Sequence, residues 1–210
     1  MTAARSRAGH VATALDSSSA PSHRFNVSTV AIPLLTVENY KILPETGPRY
    51  QLIEGDLYMA PAPNRFHQDI SRNLEYILLE YLEENPIGTL YHAPFDVYLD
   101  DYNVFQPDIL VVLQERLSIL TDAGAEGAPD FVVEILSPKT ARLDRDNKRR
   151  VYATSGVREL WIIAPETRQI QVYLLATDPA HPAATYGEAD TFESALFPWL
   201  RFKGAAIFAQ

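Results

Sequence analysis

The sequence predicts a mixed α/β domain, a central β-sheet flanked by helices, and three features carry that reading. Phe66, Ile70, Leu74, Ile77, Leu78, Tyr81 and Leu82 recur at three- and four-residue spacing, which lines one face of a helix over 66–84. The runs VVL, within 104–113, and FVVEIL, within 130–136, are short and apolar, as suits strands covered on both faces. Strand-like and helix-like stretches alternate without a strict strand–helix–strand period, so the sheet is expected to be mixed.

Taken in order, residues 1–30 are rich in Ala, Ser and Arg and show no lasting apolar period. They read as a disordered extension, with a transit peptide as the alternative for an Arg- and Ser-rich, acid-poor start. Residues 31–210 are expected to form one domain. TVENYKIL forms a short helix capped by Thr36, whose hydroxyl can accept a free first-turn N–H. YQLIE and LYMAP are strands joined by Gly55-Asp56 as a two-residue turn, with Glu54 ending the first strand. Pro86 and Gly88 end the long helix. Strands follow near 89–99, 104–113 and 130–136, then a helix over 140–154 that Gly156 terminates. RELWIIAP and QIQVYLL are two more strands, turning near Glu166-Thr167, and SALFPWLRFKGAAIF returns a final strand or loop.

Composition removes several classes of chemistry. The chain has no cysteine, which excludes disulfides, thiolate nucleophiles and cysteine-bound zinc and fits a cytoplasmic setting. No apolar run approaches the roughly 18 residues of a membrane span. His10, His23, His92 and His181 have no metal-ligand spacing among themselves. No phosphate-binding glycine loop, dinucleotide motif or nucleophile-elbow serine is present. The net charge of −9 counts against a phosphate-binding surface. Residues 139–150, KTARLDRDNKRR, nevertheless carry six basic and two acidic residues.

Two acids break apolar strand runs: Asp108, directly after Pro107, and Glu134 in FVVEIL. A buried carboxylate is costly unless it is paired, hydrogen-bonded or bound to a metal. Each alone can equally mark a strand turning outward at an edge. Asp144, Lys148 and Tyr152 are four residues apart on the following helix and so share a face. The bland alternative is a surface Asp–Lys pair beside a packed Tyr. Phosphodiester hydrolysis needs a nucleophilic water and neutralised charge at phosphorus, and a hard cation on carboxylates with a nearby ammonium supplies both.

PD at 107–108, VVEILSP at 132–138, D-x-x-x-K-x-x-x-Y at 144–152 and GVRELWIIAP at 156–165 together resemble the Uma2 family of restriction-endonuclease-like proteins in the PD-(D/E)XK superfamily. TVENY, LIEGDLYMAPAP, His67 and the C-terminal IF extend the likeness over roughly 36–208. The resemblance implies a restriction-endonuclease-like core with magnesium or manganese at the acidic strand ends. Asp108 and Glu134 match its acids and Glu54 a further metal ligand; His67 matches a substrate contact or a residue behind the ligands. The superfamily lysine two residues after the second acid is Leu136 here, and Lys148 matches a lysine moved to the next helix. The implied function is a metal-dependent endonuclease acting on DNA, working as a homodimer. A catalytically inactive nucleic-acid-binding or regulatory module on the same fold is the second reading. A two-carboxylate glycosidase is a third, disfavoured by the lack of an aromatic sugar groove near the acids. Phe197, Trp199 and Phe202 look exposed and would suit a dimer interface.

Overall fold

The computed structural model describes residues 33–44, 46–60, 62–137 and 143–209, with the side chains of 143–145 outside the description. The expected N-terminal extension lies outside the described residues. In chain order the elements are α1 Val37–Lys41, β1 Tyr50–Ile53, β2 Asp56–Met59, α2 Arg65–Glu84, β3 Gly88–His92, β4 Val97–Asp100, β5 Asn103–Phe105 and β6 Ile109–Leu113. Then come β7 Leu120–Thr121, β8 Gly124–Glu126, β9 Phe131–Ile135, a π-helical turn Leu143–Lys148 running into α3 Arg149–Ser155, β10 Glu159–Ala164 and β11 Gln169–Leu174. β12 Ala184–Gly187, β13 Thr191–Glu193, β14 Arg201–Lys203 and α4 Gly204–Phe208 close the described chain.

The expected mixed α/β class is what is found, but the strands divide between two six-stranded sheets and a small hairpin. One sheet has the order β2-β1-β5-β4-β8-β7 and the other β12-β11-β10-β9-β6-β3; β13 and β14 pair separately. The second sheet positions the site. Its β9 and β10 are parallel, joined through α3, while β6 runs antiparallel to β9 with Ile109 opposite Val133.

Residue alternation decides what each face of this sheet meets. Ile109, Val111, Phe131, Val133, Ile135, Trp161 and Ile163 form one core with Ile70, Leu74, Leu78 and Leu82 of α2. The α2 stripe is the one the spacing predicts, and Asn64 caps the helix by accepting the His67 N–H at 2.9 Å. Val132, Leu136, Leu160 and Ile162 face the other way, against Val151 and Tyr152 of α3 and Ile53 and Phe105 of the first sheet. Glu134 has the parity of Val132 and Leu136, so it belongs to this α3 face.

Thr36 caps α1 as expected, in a capping box in which the Asn39 side chain accepts the Thr36 N–H at 2.9 Å. Three local expectations are corrected. The β1–β2 turn is Glu54-Gly55, with Ile53 opposite Asp56, one residue earlier than Gly55-Asp56. Both turn residues have positive φ, 51° and 81°, the paired left-handed geometry of a tight hairpin. The Asn103 side chain holds Glu54 there by accepting its N–H at 2.8 Å. The tail adds a helix, α4, after β14. Of the aromatics that look exposed, Phe197 is buried edge-on against Tyr81 and Phe131, Phe202 stacks on Phe192, and Trp199 alone of the three is open, at 91% exposure.

Candidate active site

The C-terminal end of β9 and the N-terminal end of β6 meet at one edge of the sheet. The β6–β9 ladder ends with Ile109 opposite Val133, one residue short of Asp108 on one strand and of Glu134 on the other. The Asp108 N–H donates to the Val133 carbonyl at 3.1 Å. Its Oδ2 accepts the Ile135 N–H at 2.7 Å, so the carboxylate caps the end of β9. Oδ1 is turned to α2, where His67 Nε2 lies 3.3 Å away. Burial of the His67 ring opposes its charge. The bond to Asp108, the charges of Asp108 and Glu134 and the Ile135 backbone outweigh that, and the imidazole pKa lies above its ordinary value.

Glu134 is only 4% exposed. Lys148 Nζ lies 3.0 Å from each of its oxygens, and the Tyr152 hydroxyl donates to Oε1 at 2.6 Å. The four-residue spacing of Lys148 and Tyr152 survives the passage from π-turn to α-helix, so both reach the same carboxylate. A π-turn at this point fits a recurring habit of functional segments. Phe105 lies behind the pair: its ring is edge-on to Tyr152 at 5.2 Å, with the ammonium 5.6 Å above its centre. Lys148 is itself 1% exposed, so the ion pair is buried and its charges are weakly screened.

The other expected residues are placed differently. Glu54, in its strained left-handed turn, accepts from Arg150 of α3 at 2.7 Å. No sequence spacing announces that contact, because it joins residues 96 apart. The Asp144 side chain lies outside the described residues. Among the described residues, no group of three or more His, Asp or Glu side chains is drawn together tightly enough to hold a metal ion. Of the basic strip, Lys148 turns inward, Arg149 donates to the Ala180 carbonyl and lies over Tyr173, and Arg150 meets Glu54.

Asp130 and Glu159, which no sequence pattern singles out, are also buried. Asp130, fully buried, faces Arg116 and Arg158 at 3.1 Å each and accepts the Leu113 N–H at 2.9 Å. Glu159 accepts from Trp161, Ser194 and the Leu196 N–H. Both tie strands to loops away from the Asp108–Glu134 edge.

Comparison with known proteins agrees with this architecture. The profile of the Uma2 family, described as "Putative restriction endonuclease", matches residues 37–203. A crystal structure from Anabaena variabilis, described as a "putative nuclease belonging to DUF820", superimposes with a TM-score of 0.70 at 21% identity. The match covers 83% of this chain and 97% of that one. No curated protein matches the sequence. The fold is restriction-endonuclease-like.

Proposed function

The chain belongs to the Uma2 family, and on that premise we propose that it is a metal-dependent endonuclease hydrolysing phosphodiester bonds in DNA. The observation that supports this reading is the placing of Asp108 and Glu134 at the same end of two neighbouring strands, with Lys148 and Tyr152 brought onto Glu134 from the next helix.

The donor chemistry fits a hard divalent cation such as magnesium or manganese. Asp108 is anchored through Oδ2, with Oδ1 facing His67 Nε2 at 3.3 Å, and Glu134 adds oxygens in a poorly solvated position. Asp108 and Glu134 would hold the ion. When bound, such an ion supplies an acidified water and neutralises charge at phosphorus.

The protein groups have separable tasks in this reading. Tyr152 fixes the Glu134 rotamer with a short buried bond. Lys148, backed by the Phe105 ring, sets a positive field beside the attacking water and the phosphate. Arg150, oriented by Glu54 and with its side chain 61% exposed, offers a guanidinium to the DNA backbone. Glu54 thus serves the site through Arg150, and it reaches a cation only by releasing that partner.

The reading extends to a cytoplasmic homodimer, since two-fold symmetry suits the two strands of a duplex. Of Phe197, Trp199 and Phe202, Trp199 is the one left open to an interface. No described helix is long and apolar enough to cross a membrane.

The test is nicking of supercoiled plasmid by the purified chain in magnesium or manganese, beside Asp108→Ala. Slow nicking that chelator stops and Asp108→Ala lacks is expected. The internal engagements of Lys148, Arg149 and Arg150, with a net charge of −9, favour as second reading an inactive binding module. That reading is selected by DNA binding with no nicking above background in wild type or variant. Nicking that survives both Asp108→Ala and chelator overturns the metal mechanism.

A further inference from the structure

The outward strip of α2 is patterned as a seam. Arg65, Asp69, Arg72, Tyr76, Leu79 and Glu83 follow one another at alternating four- and three-residue steps, which sets them in one line along the helix. The core is met by other positions, Ile70, Leu74, Leu78 and Leu82. In the middle of the strip Tyr76 is 67% exposed and Leu79 43%.

The charges of α2 run against its own dipole. Both of its arginines stand in its N-terminal half and all four of its glutamates in its C-terminal half. Its first turn has no acid and its last turn no base, whereas the partial charges at helix ends favour acid first and base last. Asp69 lies between Arg65 at 3.2 Å and Arg72 at 3.1 Å, two guanidiniums on one carboxylate, so this half of the strip stays positive. Glu80 and Glu83 are exposed, and no cation neutralises them among the described residues. A single exposed apolar residue needs no explanation. A Tyr–Leu pair set between opposite charges on one strip has the layout of a docking surface, an apolar centre with a polar rim.

A second copy of the chain laid antiparallel matches this strip. Setting Tyr76 on the partner's Leu79 brings Arg72 opposite the partner's Glu83, and two-fold symmetry repeats both contacts with the roles exchanged. The opposed dipoles also place each basic N-terminal half beside an acidic C-terminal half. A parallel pair would set like charges side by side. Resting on the homodimer proposed above, we infer that the outward strip of α2 is its interface, with Tyr76 and Leu79 at the centre and an Arg72–Glu83 pair at each end. Each Asp108 edge, which His67 in the first turn of α2 faces, then stays at an outer end of the pair.

The test is sedimentation velocity of the full chain at micromolar concentrations, which reads association without reference to metal or nicking. Wild type should sediment as a dimer. Tyr76→Asp and Glu83→Arg should each weaken association about 10-fold or more, while Trp199→Ser leaves it unchanged. Arg72→Glu should weaken it likewise, and mixing the Arg72→Glu chain with the Glu83→Arg chain should restore a mixed dimer, because every charge then meets its opposite. Circular dichroism melts check that each variant is folded. A monomeric wild type overturns the inference together with the homodimer and leaves the nuclease reading standing. A dimer that folded Tyr76→Asp and Glu83→Arg leave intact, or a mixture of the two charge variants that stays monomeric, overturns the α2 interface alone.

Discussion

Glu134 and Glu159 stand on adjacent parallel strands, and both are almost fully buried, at 4% and 1% exposure. They differ in everything else. Glu159 opens β10, paired with Phe131 at the start of β9, and shares the α2 face with Trp161. Its named donors are neutral: the Trp161 indole at 2.6 Å, the Ser194 hydroxyl at 2.9 Å and the Leu196 N–H at 2.8 Å. They tie β10 to the segment before Phe197. Glu134 lies on the opposite face and at the opposite edge, beside Asp108, and its partners include an ammonium. An acid inside an apolar strand is therefore not a site signature by itself. RELWIIAP contains one that serves the fold. The distinguishing feature of Glu134 is its place at a strand end, where a second carboxylate and a charged helix face converge.

The largest expected effect separates these two acids by activity. Glu134→Gln should lower metal-supported plasmid nicking on the order of 100-fold or more, the scale of losing a group that stabilises developing charge. Glu159→Gln should leave the rate per folded molecule within a few-fold, because nothing it touches reaches the Asp108 edge. Nicking rates normalised to the folded fraction decide this. An inactive but folded Glu159→Gln breaks the contrast.

Stability should divide the same way, with a smaller and differently shaped effect. Lys148→Met leaves the Glu134 carboxylate buried without its ammonium, at a cost of about 3 kcal/mol in urea unfolding. Glu134→Ala strips Lys148 of that same carboxylate and should cost a similar amount. The simpler idea that removing one of two clustered acids relieves repulsion and spares the fold therefore does not hold at Glu134. The double variant Glu134→Gln/Lys148→Met should recover most of the loss, since an uncharged pair of similar volume often replaces a buried ion pair at little cost. In Lys148→Met, nicking should fall further than manganese affinity, because the ammonium is not a ligand. Losses that simply add in the double variant would show that the two residues are not coupled.

Much of this contrast is legible in the sequence, and the part that is not has a physical reason. The α2 stripe and the spacing of Lys148 and Tyr152 can be read because helical period maps directly onto a face. Gly156 ends α3 at φ 98°, as its lack of a Cβ allows. The β1–β2 turn is misplaced by one residue because local preference favours Gly-Asp, whereas Asn103, 49 residues away, holds Glu54 in the left-handed region. The Glu54–Arg150 contact and the enclosure of Phe197 are equally non-local. β7, β8, β13 and β14 span two or three residues each, too few to show a period. The Asp108–Glu134 pair is visible as two acids in apolar runs. Only the register of β6 on β9 separates it from Glu159, and register is a property of the assembled sheet.

The smallest effect concerns the pH dependence of folding at Glu159. Burial raises its pKa above the ordinary carboxylate value, and the bonds from Trp161, Ser194 and the Leu196 and Ala195 backbone offset only part of that. A carboxyl with a raised folded pKa binds its proton more tightly in the fold than in the unfolded chain. Its favourable contribution is present in full below the unfolded value and is lost as pH rises through the folded value. The loss is therefore confined to a window that begins near the ordinary carboxylate pKa and extends upward to the raised one. Glu159→Gln removes the titration but keeps one carbonyl oxygen as acceptor. The variant should lose stability through its missing acceptor, and its unfolding free energy should no longer fall across that window. Urea unfolding of wild type and variant at closely spaced pH values reads the difference in slope. Parallel curves would mean that Glu159 does not titrate differently in the fold, and the burial argument for this acid would fail.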